Sequence, residues 1–227
     1  MFEYLFLDLD DTILDFQKAE HVALSKTLES FGLEPTETVL KRYNLINKAH
    51  WEALERKEMT RDQVLLGRFQ TLFGEMGIAV DPESVARAYE HNLSIGHYFL
   101  PGAEEAVDAL SKKYRLFLAS NGTATVQKGR MTSANLYRFF EKVFVSQEIG
   151  HNKPSRAYFD ACFAQIPGFD PAKTIMVGDS LSSDIKGGIN AGIATVWVNP
   201  THADCGDIKP DYEIEALHQL EALLERI

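Results

Sequence analysis

The chain has 227 residues, 45% of them hydrophobic and 25% charged, enough for one large domain or a core with a smaller appendage. Its net charge of −10 and the absence of any Lys/Arg-rich run argue against a nucleic-acid polymer or an anionic membrane as partner. A phosphorylated small molecule fits only if its charge is met locally by a cation, a lysine or backbone amides.

The first predicted element is a strand over 3–9 (EYLFLDL). Asp8 interrupts its apolar run and no basic segment precedes it, so it does not read as a signal peptide. From about 15 to 97 the pattern turns helical. Residues 17–31 place Val22, Leu24, Leu28 and Phe31 near one face, and 36–58 carry apolar Leu40, Tyr43, Ile46 and Leu54. Thr60-Arg61-Asp62-Gln63 predicts a capping box, and Asp81-Pro82 predicts an N-cap followed by proline at the first helical position. A helical block of this size is too large for a loop.

Four more apolar runs follow, at 114–119, 142–145, 174–178 and 194–198, with helical patterns between them. Apolar without alternation, they suit parallel strands buried on both faces. Pro154 is expected in the first turn of a helix over 154–165. The predicted fold is therefore α/β, a Rossmann-like parallel sheet core over 1–14 and 98–227, with an all-helical cap over 15–97. No apolar stretch reaches the roughly 20 residues that span a bilayer. Cys162 and Cys205 form no CxxC pair, which suits reduced thiols in the cytoplasm.

Four segments with chemical potential lie at the ends of predicted strands, where open α/β sheets bind ligands. In Asp8-Leu9-Asp10-Asp11-Thr12, strand alternation would put Asp8 and Asp10 on one side, if the strand persists that far. A carboxylate with a reference pKa of about 3.9 is already ionised at neutral pH, so Asp8 needs no base to attack phosphorus. A second carboxyl two residues on could protonate a leaving alkoxide and later activate water. Alone, the same run is equally a set of acidic helix caps.

Ser120-Asn121-Gly122 offers a hydroxyl, an amide and a glycine-freed backbone to phosphate oxygens, although by itself it also reads as an ordinary turn. Lys153, at a predicted helix start, faces an unfavourable dipole that something anionic should offset. Gly178-Asp179-Ser180 with Asp184 supplies oxygen ligands of the kind Mg²⁺ takes, with Asp179 as ligand and Asp184 acting through water or orienting Lys153. GDSLSS is not a GxSxG elbow, because Ser182 occupies the last glycine position.

DLDDT, SNG, the lysine of GHNKP and GDSLSSD together resemble, in order and spacing, the four motifs of the haloacid-dehalogenase-like superfamily with a helical cap. The resemblance implies a Mg²⁺-dependent phosphomonoester hydrolase working through an aspartyl-phosphate. Asp8 would be its nucleophile and Asp10 its acid/base, with Lys153 completing the catalytic set. Asp8, the Asp10 main-chain carbonyl and Asp179 would hold Mg²⁺, and Ser120, Asn121 and Lys153 the phosphoryl oxygens. Thr12 and Asp184 would support the site from behind. Dehalogenases of the superfamily typically lack the second aspartate, because a leaving halide needs no proton.

Within the superfamily, DDTILDFQKAE, the segment 47–69, SNGT, SQEIGHNKP and GGINAGIATVWVNP resemble the pyrimidine nucleoside 5'-monophosphate phosphatases, often described as house-cleaning nucleotidases. That branch usually has glycine where this chain has Lys57. Trp51 and Phe69 read as cap core, and Asp15 and Phe16 lie at the junction between core and cap. The substrate expected is a pyrimidine nucleoside 5'-monophosphate, the alternative being phosphoglycolate or a sugar phosphate. A phospho-acceptor receiver module also clusters aspartates, a hydroxyl and a lysine around Mg²⁺, but such domains are shorter and have no helical insert. The residues do not discriminate monomer from dimer.

Overall fold

The computed structural model describes residues 2–227. The chain opens with β1 (Tyr4–Leu7) and enters α1 (Phe16–Ser30), α2 (Glu37–Glu55), α3 (Arg61–Met76), α4 (Pro82–Ile95) and α5 (Ala103–Ser111) before β2 (Arg115–Ser120). There follow α6 (Ala124–Ser133), β3 (Lys142–Val145), α7 (Ser146–Ile149), α8 (Arg156–Phe163) and β4 (Thr174–Gly178). The chain ends through α9 (Lys186–Ala191), β5 (Ala194–Val198), β6 (Tyr212–Ile214) and α10 (Leu220–Leu224).

All strand pairs are parallel, in the order β3-β2-β1-β4-β5-β6. From β1 the chain winds outward through β2 and β3, then returns to the other side of β1 for β4 and β5. The winding direction therefore reverses at β1, and the crevice such a reversal leaves lies beyond the carboxyl ends of β1, β2 and β4. In register, Leu7 faces Leu118 on one side and Val177 on the other. Asp8 and Gly178 follow directly on Leu7 and Val177, and Ser120 follows one residue later on β2.

Strand alternation divides the core in two. Leu5 and Leu7 of β1, Leu116 and Leu118 of β2, and Ile175 and Val177 of β4 pack with Val107, Leu110, Leu220 and Leu224 on one face. Tyr4, Phe6, Phe117, Ala119 and Met176 pack with Tyr158, Phe159 and Cys162 on the other. Phe6 stacks on Phe117 with centroids 5.2 Å apart. Burial on both faces is why these runs carry no polar alternation.

The chain divides into two compact units, one running to Phe16 and resuming over His97–Ile227, the other Gln17–Gly96. The second is entirely helical. Thr60 and Gln63 make the reciprocal capping box of α3, and Asp81 caps α4 with Pro82 behind it. Leu40, Tyr43, Ile46 and Leu54 are buried as expected, and so is Phe69. On α1 the buried set is Ala19, Glu20, Ala23, Leu24, Thr27 and Leu28, so Val22 and Phe31 lie off the buried face. Glu20 is buried because Asn44 and Asn47 donate to its two oxygens at 2.7 and 2.6 Å, while Arg68 donates to Asn47 at 2.9 Å.

Three features differ from expectation. β6 is a three-residue edge strand that its YEI sequence does not announce. Helix α8 begins at Arg156 with Ser155 as N-cap, so Pro154 precedes the helix instead of occupying its first turn. Regular strand geometry stops at Leu7, and a tight turn held by Ile13 N–H and Leu14 N–H on the Leu9 carbonyl follows.

Candidate active site

Asp8 is the last residue tied to the sheet. Its N–H donates to the Val177 carbonyl at 2.9 Å, so its position is set by the central ladder. Asp11 then takes a left-handed conformation, φ 55°, and its carboxylate accepts from the Phe16 N–H at 2.8 Å. An aspartate tolerates that conformation better than most residues. It reverses the chain immediately after Asp10.

Lys153 comes from the segment between α7 and α8 and is 1% exposed. Its Nζ donates to Asp8 Oδ1 at 2.6 Å, to Asp184 Oδ1 at 2.7 Å and to the Ala119 carbonyl at 2.5 Å. All three ammonium donors are thus used. Asn121 fixes the segment that carries the lysine: its Oδ1 accepts from the Lys153 N–H at 2.8 Å and its Nδ2 donates to the Lys153 carbonyl at 2.9 Å. The offset to Lys153 is therefore a pair of buried carboxylates, and no helix begins at the lysine.

Asp184 sits in a short π-helical turn, Leu181–Ile185, whose N-cap Ser180 accepts from the Ser183 N–H. Its second oxygen accepts from the Ser180 N–H at 3.1 Å. A Cβ at Gly178 would lie 2.7 Å from Asp184 Cβ, so only glycine at the end of β4 leaves room for this carboxylate. Thr12, wholly buried, donates to Asp179 Oδ1 at 3.5 Å, and Trp197 Nε1 donates to the Asp179 carbonyl at 2.7 Å.

Asp8, Asp179 and Asp184 each bring a carboxylate oxygen within 4.8 Å of the others. In the protein alone this crowding has a cost. Burial foremost, and then the neighbouring carboxylates Asp184 and Asp10, push Asp8 up to about 8 despite Lys153. Burial and the charges of Asp184 and Asp8 also hold Asp179 well above the ordinary carboxylate range. For Lys153, burial acts downward, but Asp184 and Asp8 outweigh it and the net shift is upward. One ammonium does not balance three carboxylates. The missing positive charge, together with a donor set made only of oxygen, is what a hard divalent cation such as Mg²⁺ fits.

Asp10 stands apart from that trio. Its Oδ2 accepts from Gln127 Nε2 at 2.7 Å, and its Oδ1 pairs with Arg130 Nη1. The Gln127 amide also donates to Ser120 Oγ at 2.8 Å, which links the end of β2 to Asp10. Of the residues expected at the site, Asp8, Thr12, Asp179, Asp184 and Lys153 form one connected cluster. Ser120 and Asp10 join through Gln127, and Asn121 serves the lysine backbone. Gln127 and Arg130 were not foreseen. The available signal was their spacing of three in α6, which puts both on one helix face.

A parallel α/β sheet with carboxylates converging at its winding reversal, two of them bridged by a buried lysine, defines a hydrolase of the haloacid-dehalogenase type. The chain belongs to the haloacid dehalogenase-like hydrolase family, whose profile matches residues 4–198. It is similar to the HAD-hydrolase YfnB of Bacillus subtilis, 38% identical over 97% of this chain and 94% of that one. The crystal structure of YfnB bound to magnesium superposes with a TM-score of 0.93, covering 98% of both chains at 38% identity. The pyrimidine 5'-nucleotidase PynA of Streptococcus pneumoniae is 36% identical over 99% of this chain and 96% of its own. The pyrimidine 5'-nucleotidase YjjG of Escherichia coli is 29% identical over 98% and 97%. The expected superfamily, the α/β fold and the reading as a hydrolytic enzyme are all borne out.

Proposed function

We propose that the protein is a Mg²⁺-dependent phosphatase that hydrolyses pyrimidine nucleoside 5'-monophosphates through phosphorylation of Asp8. The observation that carries this reading is the buried Asp8 carboxylate at the end of β1, held by Lys153 at 2.6 Å with Asp179 and Asp184 beside it. Two relatives named as pyrimidine 5'-nucleotidases, alignable with nearly the whole chain, support the substrate class.

Asp8 and Asp179, with the Asp10 main-chain carbonyl, would hold the cation, with Asp184 bracing it through water or through Lys153. When bound, Mg²⁺ supplies the positive charge that lets an anionic carboxylate approach a phosphate dianion. Lys153 neutralises the same pair from the protein side. The Asp8 carboxylate attacks phosphorus and the ester P–O bond breaks. Asp10 delivers a proton to the departing nucleoside oxygen. Water then attacks the phosphorus, the electron pair of the P–O(Asp8) bond returns to Asp8, and Asp10 takes the proton from that water. The Ser120 hydroxyl and backbone N–H groups of the turn through Asn121 would serve the phosphoryl oxygens, while the Asn121 side chain holds the Lys153 segment. Such charge neutralisation and positioning are what phosphate-monoester hydrolysis needs, since its uncatalysed rate calls for accelerations of up to about 10²¹-fold.

A nucleoside leaving group needs that proton and a halide does not, so Asp10 favours phosphate-ester over carbon–halogen chemistry. The free thiols of Cys162 and Cys205 are in keeping with a cytoplasmic enzyme. Among the described residues no helix is long and apolar enough to cross a membrane. Equal concentrations of UMP, dUMP, dTMP, AMP and phosphoglycolate test the substrate. The pyrimidine nucleotides should give the highest kcat/KM, and a preference for phosphoglycolate would overturn the nucleotidase reading.

A further inference from the structure

Arg130 is the largest fully buried side chain of the described protein, 0% exposed, yet only one of its nitrogens is used. Nη1 donates to Asp10 Oδ1 and to Gln127 Oε1, the latter at 3.2 Å, while Nε and Nη2 have no hydrogen-bond partner. The guanidinium instead lies 5.6 Å from the centre of the Phe16 ring, a cation–π contact. As a stabilising device this is poor. A buried ion pair with unsatisfied donors is commonly no better than a hydrophobic side chain of similar volume. The arrangement makes sense if its purpose is the group it touches. Asp10 keeps 28% side-chain exposure, and both of its oxygens receive a donor from α6.

Gln127 has a second supporting observation. A Cβ on Gly122 would come within 2.7 Å of Gln127 Cγ and Cδ, so the glycine of SNG keeps open the space through which the amide reaches Asp10.

We propose that Gln127 and Arg130 are positioning residues that fix the direction of the Asp10 carboxyl group, so that it meets the water that hydrolyses phosphorylated Asp8. This rests on Asp10 being the acid/base. In that step the water oxygen bonds to phosphorus, the P–O(Asp8) bond breaks with its electron pair returning to Asp8, and the water's proton passes to Asp10. Two donors from one helix fix where both carboxyl oxygens of Asp10 lie. Misplacement by about 1 Å can cost on the order of 10²-fold in rate.

The test uses p-nitrophenyl phosphate, whose leaving group departs without a proton, so that poor positioning of Asp10 is felt mainly in the second step. With Mg²⁺ supplied, Gln127→Leu and Arg130→Met should show a burst approaching one p-nitrophenolate per enzyme, beyond that of the wild type. A steady rate about 10- to 100-fold lower should follow, with KM falling alongside kcat. Gly122→Ala, which displaces Gln127 without removing it, should show the same pattern more weakly, and Arg130→Lys should recover part of the rate. A merely structural role would lower kcat with the active fraction and leave KM unchanged, without a burst. That result in Gln127→Leu and Gly122→Ala, while Asp10→Asn bursts, overturns the proposal even if Arg130→Met fails to fold. Absence of a burst in Asp10→Asn as well would instead remove the acid/base reading on which it rests.

Discussion

At Gly178 a single missing side chain decides whether the acidic cluster can form. The Cβ of an alanine would fall 2.7 Å from Asp184 Cβ, inside van der Waals contact, and Asp184 is held by Lys153 and the Ser180 N–H. Gly178→Ala should therefore displace Asp184, destabilise the fold by about 1–3 kcal/mol and lower Mg²⁺-dependent turnover. Urea unfolding and titration of activity with Mg²⁺ would measure both effects. Lys153 makes a related point about legibility. Its need for an anionic neighbour could be argued from position, but the three acceptors it finds come from three separate segments. Asp8, Asp184 and the Ala119 carbonyl are brought together only by the sheet order. Gln127 and Arg130 were harder still, because a glutamine and an arginine on a short helix ordinarily read as its solvent face.

At the scale of elements, continuous apolar runs identified β1 to β5, because strands buried on both faces leave no polar alternation to obscure them. β6 escaped notice because three residues at a sheet edge carry too little pattern. Helix starts in the insert were legible where side chains act as caps, at Thr60 and Asp81. The end of α2 shows the converse. Lys57 takes φ 62°, a left-handed conformation that costs an L-residue about 1–2 kcal/mol and glycine almost nothing. The greater freedom of glycine in the unfolded chain offsets part of the gain. Lys57→Gly should thus stabilise the protein by about 0.5–1 kcal/mol, read as an increase in Tm, with turnover unchanged. A decrease in Tm would mean that Lys57 makes compensating interactions at that corner. The buried Glu20–Asn47–Arg68 network was not legible, because its members lie on three different helices.

For the whole molecule, the acidic cluster couples stability to pH and to metal. With Asp8 pushed up to about 8 from an ordinary value of 3.8, and Asp179 shifted the same way, the folded protein binds more protons than the unfolded chain between those limits. Stability of the metal-free protein should then fall as pH rises from about 4 to about 8. Urea midpoints measured in EDTA across this range should show the decline. Added Mg²⁺ should raise the midpoint most at the alkaline end, where the carboxylates it would meet are ionised. A midpoint that rises with pH in EDTA would show that the cluster is not under the charge stress described above.

In the proposed mechanism Asp8 carries the phosphoryl group during turnover. Acid-quenching the enzyme in the steady state with p-nitrophenyl phosphate and Mg²⁺, followed by mass spectrometry of the intact chain and its peptides, tests this directly. A phosphoryl adduct should be confined to the peptide containing Asp8, more abundant in Asp10→Asn and absent in Asp8→Asn, which should also lose nearly all turnover. Sustained turnover by Asp8→Asn, or an adduct located on another residue, would contradict that mechanism.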